Sequence, residues 1–540
     1  MEYSKIKRCR VIPAFLLLGI SALLSALAFP NPLIQKGLPF ALWFAYTGVF
    51  FCIKRMKPCV CLLAGAFFGV LSVTLQNYWL SFYHPLAGIF AALLFAFEWA
   101  VFFLLLKIAG IFFHKRAAPA QCALWVCFEW FRTFGFTGYS YGIAGYSQWS
   151  FTPLIICANL GGVWLVSAVI ILPQAVFGNF AHGFTRASLK PSLYLKLALS
   201  VLPFFFALLY GFFYPVPEVK KRVPVALIQP DSSPWKSNLN EFRRELENLK
   251  RLSDEALAKN PPPELVVWPE TAFVPSFYFH DRYRPDQDFA ALVLNAKEYL
   301  ASKNVPFVLG NNEGRVVLDE NGIERTASYN AVLLFDGGEF KNRYYKTRLV
   351  PFAESFPYKR FFPAFYNFLI EHDSRFWDAG KEIVVFDAAG VPFSTPICFE
   401  DTFGELSREG VRRGAELIVN LSNDSWAGSQ SAQWTHLGAA AFRAVETGRA
   451  MVRATTSGQS CAIDYNGRIL DMAAPFKPAY IVVDAPVYTH TTLYTRIGDT
   501  LPIILLLCVL AAAAVCFIKR AVLKNEAPRL KKPFSICEKK

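Results

Sequence analysis

What most limits the folds open to this chain is where its apolar residues lie. They are concentrated in runs near residues 11–29, 37–53, 59–80, 85–113, 119–136, 153–178, 194–214 and 500–518. Each is of a length to cross a hydrocarbon layer about 30 Å thick. The expectation is an α-helical membrane domain of eight spans, the fifth being the weakest because Glu129 and Arg132 interrupt it. A composition of 54% apolar and 16% aromatic residues excludes a single soluble domain.

A net charge of +14 raises the question of nucleic acid, and its distribution answers it. Lys and Arg gather between particular spans instead of forming a basic groove. They occupy the N-terminus (Lys5, Lys7, Arg8, Arg10), the second link (Lys54, Arg55, Lys57), the fourth (Lys115, Arg116), the sixth (Arg186, Lys190, Lys196) and the tail after Lys519. The alternate links, 30–36, 81–84 and 135–150, hold only Lys36. By the positive-inside rule both termini are cytoplasmic and residues 215–497 lie outside. That requires an even number of spans, which supports the doubtful fifth. Read as a signal peptide ending at Ala26-Leu-Ala28, the first run would leave seven spans and break the pattern. The partners this implies include a lipid bilayer and no nucleic acid.

The expected domains are 1–214 (seven spans), 215–497 (external) and 498–540 (last span and basic tail). Of twelve cysteines, only Cys398 and Cys461 fall in the external region, too few for a disulfide framework. One bridge between them remains open and would exclude Cys398 as a nucleophile. From Val223 onward, short β-branched runs alternate with helical stretches, the pattern of an α/β domain. Strands are expected at 223–229, 265–268, 306–310, 331–335, 382–386, 393–398, 417–421, 451–455 and 481–484. Helices fit 240–259, 287–302, 402–413 and 431–448.

Three residues close strand-like runs. Cys398 lies in Val391-Pro-Phe-Ser-Thr-Pro-Ile-Cys-Phe-Glu-Asp401, Glu270 closes Leu265-Val-Val-Trp-Pro-Glu, and Lys346 closes Arg343-Tyr-Tyr-Lys. A thiol attacks as thiolate and needs a base, since a free cysteine is only a few per cent ionised at neutral pH. Glu270 suits that role if burial near Trp268 and Phe273 raises its proton affinity. Lys346 suits a developing oxyanion, with the Phe399 backbone N–H as second donor. Singly, a Glu or Lys at a strand end is ordinarily solvated and a lone Cys is ordinarily packing.

Their order and surroundings carry more. Trp-Pro-Glu-Thr, Tyr-Tyr-Lys followed by Leu349-Val-Pro-Phe-Ala-Glu354, and Ile-Cys-Phe-Glu together resemble the nitrilase superfamily, whose Glu-Lys-Cys triad sits on an αββα sandwich. With the spans, Asn420-Leu-Ser-Asn-Asp-Ser-Trp426, Arg443-Ala-Val-Glu-Thr-Gly-Arg449, Arg453-Ala-Thr and Thr492-Leu-Tyr-Thr-Arg-Ile-Gly-Asp499, the chain resembles the bacterial apolipoprotein N-acyltransferase family along nearly its whole length. The resemblance implies Glu270 as base, Lys346 as charge partner and Cys398 as nucleophile, with Glu354, Glu400, Trp235 and Asn330 in support. The bland alternatives are surface carboxylates, an interfacial aromatic and a turn amide. Ala353 stands where the family has Gly, and Phe399 where Tyr is common.

The resemblance further implies a ping-pong transfer, the last step of lipoprotein maturation. Cys398 takes an acyl chain from phospholipid as a thioester and passes it to the N-terminal amine of a diacylglyceryl-cysteine on an apolipoprotein. The implied place is the bacterial inner membrane, with the external domain periplasmic. A site at the bilayer surface makes physical sense, since exposing a chain of ~16 carbons at about 0.8 kcal/mol per CH₂ costs roughly 13 kcal/mol. The aromatic links 78–83 and 134–146 are candidates for interfacial contact. A membrane amidase using water, or a transporter or receptor with a binding domain, are the other readings. No zinc-like His or Cys spacing and no phosphate loop stands out, so no cofactor is expected.

Overall fold

The computed structural model describes residues 11–180, 191–318, 322–372 and 376–526. The basic residues Lys5, Lys7, Arg8, Arg10, Arg186 and Lys190, and the tail from 527, lie outside the described residues.

Among the described residues, six helical stretches are long and apolar enough to cross a membrane. The first five comprise α1 (Val11–Ala28), α2 (Pro58–Gln76), the continuous pair α3 (Pro85–Phe113) and α4 (Ala117–Phe131), α5 (Ala158–Phe180) and α6 (Pro191–Phe213). Eight spans were expected, and the difference lies in two places. The α3–α4 stretch doubles back at the short turn His114–Arg116: Phe102 stacks on Phe128 with centroids 4.0 Å apart, and Gln121 Nε2 donates to Leu106 O at 2.8 Å. The 37–53 run is broken into Pro39–Ala41, Leu42–Ala45 and Thr47–Arg55. At the break, the Tyr46 N–H donates to Gln174 Oε1 of α5 at 2.7 Å, so a side chain satisfies backbone that the helix does not.

Close packing between spans rests on small residues. In Gly65-Ala-Phe-Phe-Gly69 of α2 both glycines face α3, and a Cβ on either would lie 2.3 Å from a backbone oxygen, Trp99 O and Phe95 O respectively. Lipid offers little drive for helix association, so such approach supplies the contact area.

The region after α6 contains β1 (Lys221–Gln229), α7 (Leu239–Leu257), β2 (Leu265–Phe273), α8 (Gln287–Ala301), β3 (Phe307–Leu318), β4 (Glu324–Asp336), β5 (Glu339–Tyr345), β6 (Val385–Ala388), β7 (Val391–Ser394), α9 (Gly404–Arg412), β8 (Leu417–Ser422), α10 (Gln430–Thr447), β9 (Met451–Thr455), β10 (Cys461–Ile463), β11 (Ile469–Met472) and β12 (Ala479–Val487). One sheet runs β12-β1-β2-β3-β4-β5 and the other β11-β10-β9-β8-β7-β6. Both have parallel centres, β1-β2-β3 and β7-β8-β9. Parallel strands covered on both faces read as unbroken apolar runs; Val225, Val267 and Val308 meet Phe393, Val419 and Val452 between the sheets. Leu246 and Leu249 of α7 and Val293 of α8 cover the outside of the first sheet. This is the expected four-layer sandwich. The chain then runs into α11 (Thr500–Glu526), which contains the sixth membrane-compatible stretch.

The last layer also packs against the N-terminal helical part of the chain. Residues of α10 from Ser431 to Thr447 are all buried, because one side meets Ile418 and Met451 of the second sheet while the other joins a core that includes Tyr146, Trp149 and Val163. Helix composition alone does not reveal such two-sided burial, although the small-residue run Gly438-Ala-Ala-Ala441 permits it.

Expected strands differ in length where β3 and β4, expected at 306–310 and 331–335, extend to Leu318 and back to Glu324 as a long antiparallel pair, and they differ at three further points. The run expected at 393–398 leaves the sheet after Ser394, with a single further bridge from Ile397 to Leu421. Only the end of β5, at Arg343-Tyr-Tyr, read as strand-like; its start was not expected, because as an edge strand its side chains Glu339, Lys341 and Asn342 are polar and exposed. The three- and four-residue strands β10 and β11 are too short to carry an alternating pattern.

Replacing Gly69 by Leu is expected to force α2 off α3 at about 1–3 kcal/mol, seen as a lowered Tm in detergent. Gly19→Leu is the control, since a Cβ there meets only Leu71 Cδ2 at 4.0 Å.

Candidate active site

Glu270 reaches the centre of the sandwich through a distortion of β2. Trp268 pairs with Leu309 and Phe273 with Asn311, so five residue steps on β2 span two on β3, and Thr271 has φ +46°. A bulge of this kind re-aims side chains. Trp268 and Phe273 join the outer apolar layer, and Glu270 meets polar donors instead of the aromatic surroundings expected for it. Its Oε1 accepts from Asn330 Nδ2 at 2.7 Å and Lys346 Nζ at 3.2 Å, and its Oε2 accepts from the Asn423 N–H at 2.8 Å.

Lys346 follows β5 and is only 1% exposed. Its Nζ donates to Glu354 Oε1 at 2.9 Å as well as to Glu270. Burial by itself disfavours the ammonium, but Glu270 and Glu354 together outweigh it and hold Lys346 above the ordinary lysine range. Burial pushes the Glu354 carboxyl up, against the pull of Lys346. Its Oε2 also accepts from the Val350 N–H at 2.8 Å.

Cys398 opens the short 3₁₀ turn Cys398–Thr402 with φ +47°, a conformation that side chains other than glycine seldom adopt. Burial raises its thiol well above the ordinary range, Glu270 raises it further, and Lys346 opposes. Phe399 follows in the first turn, where helical N–H groups lack partners within the helix. Cys398 and Cys461 are both free thiols, so the bridge left open by sequence is not formed.

Glu400 joins the Cys398 turn to the lysine loop. Its Oε1 accepts from Tyr344 OH (2.8 Å), Thr347 N–H (2.7 Å), Thr347 OH (2.8 Å) and Arg348 N–H (3.0 Å). Its Oε2 accepts from the Ile397 N–H at 2.9 Å and Tyr344 OH at 2.9 Å. One buried carboxylate thereby fixes the backbone next to Lys346 relative to the backbone next to Cys398.

The structure thus gathers Glu270, Lys346, Asn330 and Glu354 into one hydrogen-bonded set, with Cys398, Phe399 and Glu400 on the adjoining turn. Trp235 stands apart: it is 47% exposed and its ring lies 5.9 Å from Tyr83 of a membrane link. The links themselves form one wall. Trp79 and Tyr141 pack with Phe399 and Phe403.

Against the turn packs a charged set of which Asp401, Asp424 and Arg453 stand in the motifs quoted from the sequence, without roles, and His436 does not. Arg453 Nη1 donates to Asp401 Oδ2 at 2.9 Å and Nη2 to Asp424 Oδ2 at 2.8 Å. His436 bridges the same two carboxylates, Nδ1 to Asp424 at 2.8 Å and Nε2 to Asp401 at 2.7 Å, and Nε2 lies 3.2 Å from Cys398 O. Burial and Arg453 oppose the charged imidazole, but Asp401 and Asp424 prevail and raise His436 to about 9. Ligand atoms of Cys398, Asp424 and His436 lie within 4.8 Å of one another. Both His436 nitrogens are engaged and Arg453 already neutralises Asp424, so a metal ion there would add to existing positive charge.

Comparison with known proteins bears on the whole chain. Residues 224–491 match the family described as Carbon-nitrogen hydrolase, and residues 21–176 that described as Apolipoprotein N-acyltransferase N-terminal domain. Apolipoprotein N-acyltransferase 1 of Treponema pallidum is 41% identical over 491 residues, covering 88% of this chain and 90% of that one. Apolipoprotein N-acyltransferase 1 of Treponema denticola is 39% identical over 536 residues, 94% of this chain and 98% of that one. Apolipoprotein N-acyltransferase of Geobacter metallireducens is 30% identical over 517 residues, 93% and 94%.

Two outcomes are expected. Lys346→Met leaves buried Glu270 and partly buried Glu354 without their cation and lowers stability by about 3–5 kcal/mol, while Lys346→Met with Glu354→Gln recovers part of the loss in denaturant titrations. The second concerns pH. Since folding raises His436 from 6.5 to about 9, its contribution is complete below pH 6.5 and is lost as pH rises through about 9. The Tm in detergent should therefore fall over that interval, and His436→Gln should flatten the fall; an equal slope in both proteins would mean the imidazole is not charged.

Proposed function

The chain belongs to the apolipoprotein N-acyltransferase family, and from that premise we propose that Glu270, Lys346 and Cys398 carry out its acyl transfer as base, oxyanion partner and nucleophile. The protein is an acyltransferase of lipoprotein maturation, catalysing N-acylation. The observation that carries the residue roles is the Lys346 ammonium held 3.2 Å from Glu270 and 2.9 Å from Glu354, with Glu400 locking this loop to the Cys398 turn.

Chemistry follows from the charges. Cys398 rests as a thiol, because burial and Glu270 disfavour the thiolate. Its proton therefore leaves as the bond to carbon forms: sulfur attacks the ester carbonyl of a phospholipid while Glu270 accepts the proton. The resulting oxyanion lies against Lys346 and the Phe399 N–H. Collapse breaks the carbon–oxygen bond, the departing alkoxide takes the proton from Glu270, and lysophospholipid leaves a thioester on Cys398. The N-terminal amine of a diacylglyceryl-cysteine then attacks the thioester carbon, Glu270 takes the amine proton and returns it to the departing thiolate, and an amide forms. Asn330 and the Asn423 N–H keep the Glu270 carboxylate aimed throughout.

Residues 1–214 and 498–540 on this reading hold the enzyme in the bacterial inner membrane, and 215–497 is the periplasmic catalytic domain. Support comes from the six membrane-compatible helices and from the packing of α10 against them. Both substrates are lipids of one leaflet, and a site at its surface spares each chain from crossing water. Trp235 on Tyr83 then belongs to the rim of the lipid entrance.

Intact mass after incubation with phospholipid tests the roles. Wild type should gain one acyl chain that hydroxylamine removes, and Cys398→Ala should gain none. Turnover of small amides without any adduct from phospholipid would favour a hydrolytic amidase instead.

A further inference from the structure

Two sequence motifs find no place in the reaction, Arg443 to Arg449 and Thr492 to Asp499. In the fold they meet at the junction of membrane and catalytic domains. The helix α5 is broken at Gly161 and Gly162, which have non-helical backbone angles. A Cβ on Gly162, whose φ is +68°, would lie 2.6 Å from the Tyr494 ring. The Val163 N–H released by this break donates to Glu446 Oε1 at 2.9 Å. Glu446 is paired with Arg443 at 2.9 Å, both 1% exposed. Asp499 accepts from Trp164 Nε1 at 2.8 Å, Tyr494 OH at 2.9 Å and Trp130 Nε1 at 3.2 Å.

This junction reaches the nucleophile turn. Thr402 closes the turn that Cys398 opens. Its carbonyl accepts two donors at 3.1 Å, Arg443 Nη1 and the hydroxyl of Tyr146, a residue of the membrane domain. Tyr146 OH in turn accepts from Arg443 Nη2 at 3.2 Å. The turn is short and its first residue has a positive φ, so restraint at its far end bears on the geometry of Cys398. A cavity of about 20 Å³, the size of one water molecule, lies among Tyr146, Thr402, Arg443 and Glu446.

We propose that Tyr146 and Arg443 are positioning residues for Cys398: the membrane domain holds the far end of the nucleophile turn through the Thr402 carbonyl, so the catalytic geometry is complete only with that domain in place. The claim rests on the role given above to Cys398. It assigns Arg443 and Tyr146 a function in the reaction rate that neither has through contact with substrate. Glu446 and the α5 break set the register of Arg443.

Tyr146→Phe in the full-length protein is the test, because it keeps the ring against Phe442, with centroids 5.1 Å apart, and removes only the hydroxyl. Two rates are read on detergent-purified protein: single-turnover acylation by phospholipid, and alkylation of Cys398 by iodoacetamide followed on its peptide by mass spectrometry. The expected result is about a tenfold slowing of both, with the half-saturating phospholipid concentration and the Tm unchanged. Arg443→Lys should fall between wild type and Arg443→Gln. Wild-type rates in Tyr146→Phe, or slowing only in proportion to lost folded protein, would overturn the proposal. Failure of wild type itself to acylate would count against phospholipid as donor, while the alkylation rates would still decide the positioning.

Discussion

Lys346 is a cation with almost no access to water, and two carboxylates, Glu270 and Glu354, compensate it within 3.2 Å. Taking an ammonium out of water costs several kcal/mol, and only close, well-directed partners offset that cost. Much of the fold can be understood as meeting this demand. The bulge in β2 delivers Glu270, the end of β5 delivers Lys346, and the loop beyond it delivers Glu354. Asn330 completes the set, its carbonyl accepting from the Lys346 N–H at 2.8 Å while its amide steadies Glu270. An error in any of these elements leaves a buried charge without its partner.

A second buried charge set, Arg453 and His436 with Asp401 and Asp424, meets the backbone of Cys398 through His436. The Cys398 turn is thus tied to this cluster through Asp401 and the Cys398 carbonyl, and Glu400 links it to the lysine loop. The membrane domain adds the third restraint at Thr402. Because α10 carries both His436 and Arg443, the helix between the second sheet and the membrane core supports the turn at two points. Such pre-organisation suits a reaction in which the charge develops only on attack.

The site was legible where side chains with recognisable chemistry occur in ordered motifs. Glu270, Lys346, Cys398, Asn330, Glu354 and Glu400 were all readable, and the fold gathers them. Trp235 was named with them by resemblance, and its ring lies 5.9 Å from that of Tyr83. The Asn423 N–H escaped because a backbone donor has no sequence signature. The pairing of His436 with Asp401 escaped because it spans 35 residues and an isolated His on a helix is ordinarily packing. The start of edge strand β5 was missed because its polar residues carry no apolar pattern, even though its end, next to Lys346, read as strand-like.

The sequence by itself determined the membrane-compatible runs, the α/β alternation of the external region and the order of Glu, Lys and Cys. Those features follow from local composition and spacing, which survive without knowledge of contacts. The tertiary structure alone decided that α3 and α4 double back on each other, that Glu270 turns inward through a bulge, and that Tyr146 of the membrane domain bonds the carbonyl of Thr402. Each of these depends on groups distant in sequence meeting at hydrogen-bonding distance, a property of the packed chain that no local pattern encodes.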